Sequence, residues 1–556
     1  MKLEGYMTVL IALWIFTILF CYKEFRYAKT LQNQSDSKLI YWIQPILLIG
    51  VLIRTIYLYY PFGVFCDEAI NGYDSWCIAN YGVDQHLISN PVYLKSWGSG
   101  QTALYAYIAA PFIKLFGLST SVHRLPMALI SCISILFFYW TLRKTQKNKL
   151  LTFIITAFLV INPWHIMKSR WALDCNICPD LVLIGLCLIM LGYYSTIVKR
   201  RTIYYLAASI FFALSAYSYA VSWFMLPLFC IGIFIYLLRK KKISYMQLGM
   251  CFISIAIIAL PLVLFAINHF TNGGQYSFGP FTIPELIEDR HLKTTLIGRE
   301  DILTEIYIYF KRAGMLLGWG ADGLIWNSMS MWGQYYNPLG ILFIIYYFYS
   351  LIKERKTSVI DALFLIWLIS MLPTLILVGA NANHWNLLWF PLIYFCARGI
   401  YLFINKYKKA KYVVAALFIC GFILFSYEYF DYYKYKNKDV YYNFAGFTQG
   451  MEEPVDYLKD RDFDKVYYMN TKYSISGNNC YIVLFYNPIS PYTFDKSKEV
   501  KDNTVIGYLN NYFYKPVVIE PESGTAYLIP NEWMQDIDTD GFIIKEFEQF
   551  TLLWND

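Results

Sequence analysis

Residues 125–161 read LPMALISCISILFFYWTLRKTQKNKLLTFIITAFLVI, two apolar runs joined by a short basic connection. A helix of about 20 apolar residues is long enough to cross the hydrocarbon core of a bilayer. The connection carries Arg143, Lys144, Lys147 and Lys149, and such clusters are typical of cytoplasmic loops. The stretch therefore predicts two helices that cross a membrane in opposite directions.

The same pattern recurs along all 556 residues. Hydrophobic residues make up 57% of the chain and charged residues 15%, whereas a soluble protein carries about 25% charged residues. This composition excludes a soluble enzyme, a disordered chain and a disulfide-rich scaffold. It predicts a polytopic α-helical membrane protein with about twelve transmembrane helices, near 6–22, 39–60, 123–142, 150–166, 177–197, 202–218, 221–239, 245–268, 337–353, 358–379, 386–404 and 412–429.

Basic residues occupy every second connection between these runs, which predicts the orientation of the protein. The basic connections are expected to be cytoplasmic by the positive-inside rule. The alternate connections, among them the long loops 61–122 and 269–336, are then expected on the outer face. Loops of this length exceed ordinary connections and usually carry function, so we expect the chemistry to take place outside.

Residue composition changes at about residue 430, which predicts a domain boundary there. Residues 1–430 are expected to form the transmembrane domain, and residues 431–556 a small extracytoplasmic α/β domain. The tail has no obvious catalytic constellation, and we expect it to act as a lid or docking module. Its predicted elements are a helix at 451–459 and strands at 465–469, 480–486, 504–509, 516–520, 525–529 and 542–547.

The first outward loop holds the strongest candidate site. Asp67 and Glu68 follow the second apolar run directly, and carboxylates at a membrane edge are functional candidates because they are costly to hold near lipid. Two amphipathic stretches, 71–82 and 101–117, are predicted to be interfacial helices. Lys95 lies between them, and Arg124 opens the next span.

Other outward connections add polar candidates. Asn162-Pro163-Trp164-His165 is followed by Arg170, Asp174 and Asn176, and the short connection at 380–385 contains His384. Cys175 and Cys178 have the spacing of half a zinc site, but no second pair completes four ligands. We therefore expect these two cysteines to be structural.

The segment from Asp67 to Arg124 resembles the GT-C class of membrane glycosyltransferases, specifically glycosyltransferase family 39. This family includes the protein O-mannosyltransferases and the aminoarabinose transferases that modify lipid A. The shared features are Asp-Glu-Ala after an early span, two interfacial helices with Lys95 between them, and Arg-Leu-Pro at the start of the next span. NPWHIMKSRWALDCNICPD (162–180), HWNLLWFPLIYF (384–395) and the polar tail are also similar to bacterial members.

The resemblance implies transfer of a sugar from a polyprenyl-phosphate carrier to an acceptor hydroxyl on the outer face. The phosphate is a good leaving group, so one carboxylate that accepts the hydroxyl proton suffices, and Asp67 is expected to be that base. Glu68 is expected to orient the acceptor, position a cation or raise the pKa of Asp67 by repulsion. The remaining candidates are Lys95, Arg124 and Arg170 for the donor phosphate, and Asp174, Asn176 and His384 for substrate binding.

One departure from the family concerns a metal. The aminoarabinose transferases have a glutamate before the lysine, where this chain has Leu94. No cofactor is therefore required, and a divalent cation at Asp67 and Glu68 remains open. The richness in Ile, Lys, Asn and Tyr favours a bacterial cell membrane, undecaprenyl phosphate as the carrier and an envelope glycan, lipid or protein as the acceptor.

Two alternatives remain. A transporter or flippase for lipids or lipid-linked sugars would carry ionisable residues at mid-membrane and broken helices in corresponding halves. A polysaccharide polymerase or ligase would rely on arginines in a large outer loop. The clustering of charge after the second span favours the glycosyltransferase over both.

Overall fold

The computed structural model describes residues 5–31, 34–96, 99–286, 302–324, 327–435, 447–469, 478–501, 504–513 and 519–555. The chain forms two compact units, which we call the helical unit and the mixed unit. The helical unit comprises Met1–Ile56, Met127–Leu264 and Asp289–Ser426, and the mixed unit comprises Tyr57–Pro126, Phe265–Glu288 and Tyr427–Asp556. Residues of the first outward loop belong to the same unit as the C-terminal residues.

The prediction of a polytopic helical membrane protein is confirmed. Within the described ranges, nine helices are long and apolar enough to cross a membrane. They are α1 (Gly5–Lys29), α2 (Gln34–Thr55), α5 (Thr120–Thr145), α8 (Asp174–Tyr194), α10 (Ser222–Arg239), α11 (Tyr245–Phe270), the pair α14 (Val359–Ser370) and α15 (Leu372–Leu377), α16 (Trp389–Lys406) with the 3-10 turn before it, and α17 (Ala410–Tyr435).

The other three predicted spans are helical, but their helices are too short or too polar to be counted among these nine. They correspond to α6 (Lys149–Val160), α9 (Val198–Ala216) and α13 (Asn337–Glu354). The run at 150–166 is divided because Asn162 caps a new short helix, α7 (Pro163–Lys168), by accepting the backbone N–H of His165 at 3.0 Å. A further helix, α12 (Ile302–Trp319), lies outside the predicted runs.

The mixed unit is built on a seven-stranded sheet. Its strands are β7 (Lys465–Tyr468), β8 (Glu499–Lys501), β9 (Thr504–Tyr508), β10 (Asn511–Tyr512), β11 (Thr525–Pro530), β12 (Ile543–Glu546) and β13 (Phe550–Trp554). They lie in the order β12-β13-β11-β7-β10-β9-β8. Strand β7 runs parallel to β10 and β11, and the other pairs are antiparallel.

Most predicted elements of this region are confirmed, including helices at the two amphipathic stretches, α3 (Cys66–Tyr81) and α4 (Leu104–Phe116). The helix predicted at 451–459 is α18 (Glu452–Leu458). The strand predicted at 480–486 is wrong, because this segment forms helix α19 (Asn478–Tyr486). A short apolar run without alternation does not separate a buried strand from a buried helix. Most of the strand predicted at 516–520 lies outside the described residues.

Smaller elements complete the mixed unit. Two hairpins are formed by β2 (Tyr93–Ser96) with β3 (Ser99–Thr102), and by β4 (Tyr276–Phe278) with β5 (Phe281–Ile283). Strand β1 (Val64–Phe65) pairs with β6 (Phe447–Thr448), and α20 (Pro491–Ser497) follows α19. Strand β1 therefore ties the residues immediately before α3 to the C-terminal part of the chain.

Contacts at the start, at the end and on the buried face of helix α3 hold its orientation. The side chain of Glu68 accepts the backbone N–H of Phe65 at 3.2 Å, which caps the start of the helix, and Gly82 ends it with a φ of 72°. Ala69, Tyr73 and Cys77 are fully buried in the core that α3 shares with α19 and the sheet. These contacts therefore fix the position of the N-terminus of α3, which carries Asp67.

A glycine makes the packing of α3 against α19 possible. A Cβ at Gly72 would lie 2.4 Å from the ring of Phe485. We therefore expect Gly72→Ala to destabilise the mixed unit by about 1–3 kcal/mol, the usual cost of overpacking. Thermal unfolding of the purified protein measures this change. The double variant Gly72→Ala/Phe485→Leu should regain part of the loss, and an unchanged Gly72→Ala would contradict this packing.

Candidate active site

Asp67 and Glu68 occupy adjacent positions in the first turn of α3 but have different environments. The side chain of Asp67 is partly exposed, whereas that of Glu68 is fully buried. The N-terminus of a helix stabilises negative charge, so both positions suit ionised carboxylates. Of the two, Asp67 is the carboxylate that a ligand can reach.

Glu68 forms a two-pronged ion pair with Arg124 at the start of α5. The Nε–H of Arg124 donates to Oε1 of Glu68 at 2.7 Å, and Nη2 donates to Oε2 at 2.9 Å. Both side chains have no exposed surface. A buried pair of this geometry compensates the loss of water around both charges.

Arg124 also binds the backbone that leads into α3. Nη1 donates to the carbonyl oxygens of Pro61 at 2.7 Å and Leu58 at 3.3 Å, and Nη2 donates to that of Gly63 at 2.9 Å. A guanidinium has five N–H donors, and these five contacts occupy them. Arg124 therefore anchors both the segment at 58–63 and the first turn of α3.

These contacts change the roles expected for Arg124 and Glu68. A phosphate bound by Arg124 would have to replace an existing buried hydrogen bond, which is costly. Glu68 could contact substrate only by giving up a buried hydrogen bond as well. Its negative charge, which was expected to repel Asp67, is balanced by Arg124. We interpret both as positioning residues that hold Asp67 at the start of α3.

Lys95 is predicted to bind the donor phosphate. It lies in β2, opposite Gly100 of β3, and its side chain is partly exposed. No hydrogen bond or ion pair engages its ammonium within the described part of the chain. This cation is thus available to a ligand.

Two buried carboxylates stabilise the connection between α3 and β2. The sequence did not single them out. Asp74 accepts the backbone N–H of Gln85 at 2.9 Å and its side-chain amide at 3.0 Å. Asp84 accepts the backbone N–H groups of His86 at 2.8 Å and Ile88 at 2.9 Å. Because the connection leads directly into β2, these carboxylates help to position Lys95.

Burial shifts the pKa values of Asp74, Asp84 and His86 at this connection. It raises the pKa of Asp84 to about 6, although the backbone N–H groups of Ile88 and His86 and the charge of Lys95 oppose the change. Burial, and then the neighbouring charge of Asp84, also raises the pKa of Asp74 well above its ordinary value. Burial lowers the pKa of His86 to about 4. The two carboxylates therefore retain protons to higher pH than exposed carboxylates do.

We expect the raised pKa of Asp84 to appear in the pH dependence of stability. An unfolded aspartate has a pKa of about 3.9, so the folded protein binds this proton more tightly. The resulting stabilisation is complete below about pH 4 and is lost as the pH rises through about 6. Its size is on the order of 2–3 kcal/mol.

Unfolding of the wild type and of Asp84→Asn, measured between pH 4 and pH 8, tests this expectation. Asparagine keeps an oxygen for the backbone N–H groups but does not titrate, so the variant should gain stability relative to the wild type as the pH rises. His86 contributes with the opposite sign in both proteins, which is why the difference between them is the relevant quantity. Parallel curves would contradict the assignment.

The other predicted residues belong to the helical unit. Arg170 is buried, and its Nη1 donates to the carbonyl oxygen of Ile53 at 2.8 Å. Asp174, in the first turn of α8, is partly exposed and accepts the backbone N–H of Cys175 at 2.7 Å. The ring of His384 is half-buried, and its Nδ1 lies 3.2 Å from the carbonyl oxygen of Gly379.

Asn176 is committed to contacts within the helical unit. It is buried, donates from Nδ2 to the carbonyl oxygen of Trp171 at 3.0 Å and accepts from Asn386 at 3.3 Å. Asn386 also donates to the carbonyl oxygen of Cys175 at 2.8 Å. Of the three substrate-binding candidates, Asp174 and His384 therefore have accessible side chains, and Asn176 does not.

The helical unit also contains a buried network of charges. His165 accepts from Nε of Arg54 at 3.0 Å through Nδ1, so Nε2 carries the proton and lies 3.2 Å from Asp180. Lys168 forms an ion pair with Asp180, and the hydroxyls of Ser131 and Ser134 donate to it at 2.8 and 2.6 Å. The network joins α2, α5, α7 and α8, and so fixes the segment that carries Arg170 and Asp174.

No group of three or more His, Cys, Asp or Glu side chains in the described ranges could hold a metal ion. Glu68 is bound to Arg124, which leaves Asp67 as the carboxylate that could contact a cation there. These residues do not form a metal site by themselves. Cys175 and Cys178 are buried thiols that form no disulfide, and a structural role for them stays a prediction.

No family model and no curated protein matches this chain, but several solved structures are similar to it. ArnT from Cupriavidus metallidurans, bound to undecaprenyl phosphate, shows a TM-score of 0.46 at 10% identity, over 92% of this chain and 97% of that one. The archaeal oligosaccharyltransferase AglB from Archaeoglobus fulgidus shows 0.43 at 14%, over 76% and 58%. The S. cerevisiae protein O-mannosyltransferase Pmt1-Pmt2 complex shows 0.31 at 15%, over 45% and 36%.

All three are GT-C glycosyltransferases, the class that the sequence resembles. This chain aligns to about 58% of the length of the AglB chain. At these identities and TM-scores, the likeness carries no argument about this chain's fold or activity. The function proposed below therefore rests on this chain's own residues.

Proposed function

We propose that this protein is an integral membrane glycosyltransferase of the outer face. It moves a hexose or pentose from a polyprenyl-phosphate carrier to an acceptor hydroxyl and inverts the anomeric centre. The observation that carries the proposal is the division of roles at the start of α3. Glu68 is buried against Arg124, whereas the adjacent Asp67 is accessible on a fixed helix terminus.

This arrangement supplies what the reaction needs. Asp67 accepts the proton of the attacking hydroxyl as the new glycosidic bond forms. The bond from the sugar to the carrier breaks at the same time, and the lipid phosphate leaves with the electron pair. Inversion follows because the acceptor displaces the phosphate directly, with no sugar bound covalently to the protein.

Lys95 is proposed to stabilise the charge that develops on the departing phosphate. Its partly exposed side chain has no competing ion pair in the described part of the chain. Arg170 remains a second proposed cation for the donor, and Asp174 and His384 remain proposed substrate contacts. Undecaprenyl phosphate in a bacterial cell membrane is the proposed carrier, and an envelope glycan, lipid or protein is the proposed acceptor.

Lys95 provides a prediction for the donor site. Lys95→Gln should lower kcat/KM for the lipid donor about 10²- to 10³-fold, by analogy with the loss of one charge-stabilising donor in other enzymes. Lys95→Arg should retain more activity because it keeps the positive charge. Initial rates over a range of donor concentrations measure both variants. Wild-type kinetics in Lys95→Gln would remove Lys95 from the site, and the exposed Lys496→Gln in the same unit serves as the control.

A second candidate function is transport or flipping of a lipid-linked sugar. The observation in its favour is the buried network of Arg54, Lys168 and Asp180, because charged residues within spans often mark transport pathways. The full set of hydrogen bonds around Asp180 equally suits a structural role. Movement of a lipid-linked sugar across reconstituted vesicles, with the glycosidic bond intact, would support this alternative.

Product analysis tests the proposed function. The purified full-length protein is incubated with undecaprenyl-phosphate-linked sugars of known anomeric configuration and a cell-envelope extract. We expect a glycosylated product whose new linkage, determined by NMR, has the opposite configuration. Retention would contradict direct displacement, and absence of a glycosylated product from folded protein would contradict the proposed function.

A further inference from the structure

The C-terminal part of the mixed unit contains an open cleft of about 850 Å³. Its walls come from α18 and the turn that follows, from the loop before β11, and from β12 and β13. Small-ligand sites usually have volumes of about 300–1,000 Å³. The cleft is thus large enough for a ligand and is distinct from the residues at the start of α3.

Charged side chains line this cleft without neutralising one another. Glu453, Asp460 and Asp462 make no ion pair within the described residues, and neither does Arg461 or Lys545. Asp456 pairs instead with Lys459, which is not part of the lining. The cleft therefore presents free carboxylate acceptors beside free cationic donors.

Aromatic rings form an apolar surface among these charges. Tyr457 and Phe547 pack edge to face with centroids 5.8 Å apart. The guanidinium of Arg461 lies 4.4 Å from the centroid of Tyr457, and the ammonium of Lys545 lies 4.7 Å from it. Both cations are thereby held at the aromatic surface, with their remaining N–H donors available.

A saccharide suits this combination. Its hydroxyls both donate and accept hydrogen bonds, so they can use carboxylates and cations in the same site. Its C–H faces can cover aromatic rings, as apolar surfaces do. Three carboxylates without an ion pair against two such cations in the lining leave an excess of negative charge, which disfavours a polyanionic polymer.

The geometry points to this cleft as a binding site for an uncharged saccharide chain. The site goes beyond the proposed function, because binding there requires neither the lipid donor nor Asp67. Only the further role of the bound saccharide as an acceptor rests on the proposed function. A free oligosaccharide and the glycan part of a lipid-linked chain share the chemistry that the cleft would recognise.

Binding to the purified full-length protein in detergent tests the site. The probes are maltotetraose, cellotetraose, the same tetrasaccharides linked to a lipid in micelles, and poly(glycerol phosphate) as a polyanion. We expect at least one tetrasaccharide to bind, and Asp460→Asn/Asp462→Asn to weaken its affinity at least tenfold. Binding of the lipid-linked form alone would assign the site to a carrier-bound glycan.

Matched variants separate this site from general charge effects. Asp538→Asn/Asp540→Asn removes two exposed carboxylates from another turn of the same unit, and it should bind as the wild type does. Arg461→Gln should weaken binding like the cleft double variant, while Asp67→Asn should leave it unchanged. No tetrasaccharide binding, equal weakening in both double variants, or preference for poly(glycerol phosphate) would overturn the proposal.

Discussion

Asp67→Asn is expected to lower the turnover of sugar transfer by about 10²- to 10⁴-fold, the usual contribution of a general base. Asparagine has nearly the same shape as aspartate but does not accept the proton of the attacking hydroxyl. Because the change leaves the Glu68–Arg124 pair intact, we expect the fold and the affinity for the lipid donor to be retained. The loss should therefore appear in kcat rather than in donor binding.

Two controls make this prediction specific. Asp495→Asn removes an exposed carboxylate in the same unit and should transfer at the wild-type rate. Asp67→Glu should retain part of the activity, because it keeps a base at a shifted distance. Full turnover in Asp67→Asn would show that another group accepts the proton.

Arg124→Gln is expected to destabilise the protein by about 3–5 kcal/mol, the typical cost of removing one partner of a buried ion pair. The variant would leave Glu68 buried without its counter-charge and release the carbonyl groups at 58–63. The expected result is a clearly lower apparent melting temperature and increased proteolysis near the start of α3. The remaining folded protein should also transfer sugar more slowly, because Asp67 loses its fixed position.

The double variant Arg124→Gln/Glu68→Gln distinguishes a positioning role from phosphate binding. Removing both charges should restore part of the stability, since no uncompensated charge stays buried. The exposed Arg200→Gln serves as a control and should be neutral. If Arg124→Gln were fully stable and lost only affinity for the lipid donor, Arg124 would contact the phosphate after all.

The sequence was sufficient to predict the long apolar helices and four of the seven strands of the large sheet. Long apolar runs and basic connections are local signals, and the helices that they predict are present. The compact units were not predictable in this way, because the pairing of β1 with β6 joins residues almost 400 positions apart. The strand wrongly predicted at 480–486 has a related cause. Because α19 is buried in the core that it shares with α3, its sequence is apolar throughout and shows neither the period of a strand nor that of a helix.

The candidate site was predictable in part. The carboxylate pair after an early span drew attention to Asp67, but sequence did not show which of the two carboxylates Arg124 would bind. Asp180 and Arg54 had a usable signal, since each is a charged residue within a predicted span. Asp74 lies two helical turns after Asp67, yet its burial depends on how the connection to β2 folds, and no local pattern reveals this.

Consumption of the lipid donor is the decisive measurement for sugar transfer by Asp67. Purified full-length protein and its Asp67→Asn variant are incubated with a panel of undecaprenyl-phosphate-linked sugars and a cell-envelope extract, and release of undecaprenyl phosphate is followed. We predict that the wild type consumes at least one donor in step with glycosylation of the extract, and that Asp67→Asn does not. Consumption of no donor by folded wild-type protein, or equal consumption by the variant, would contradict this account.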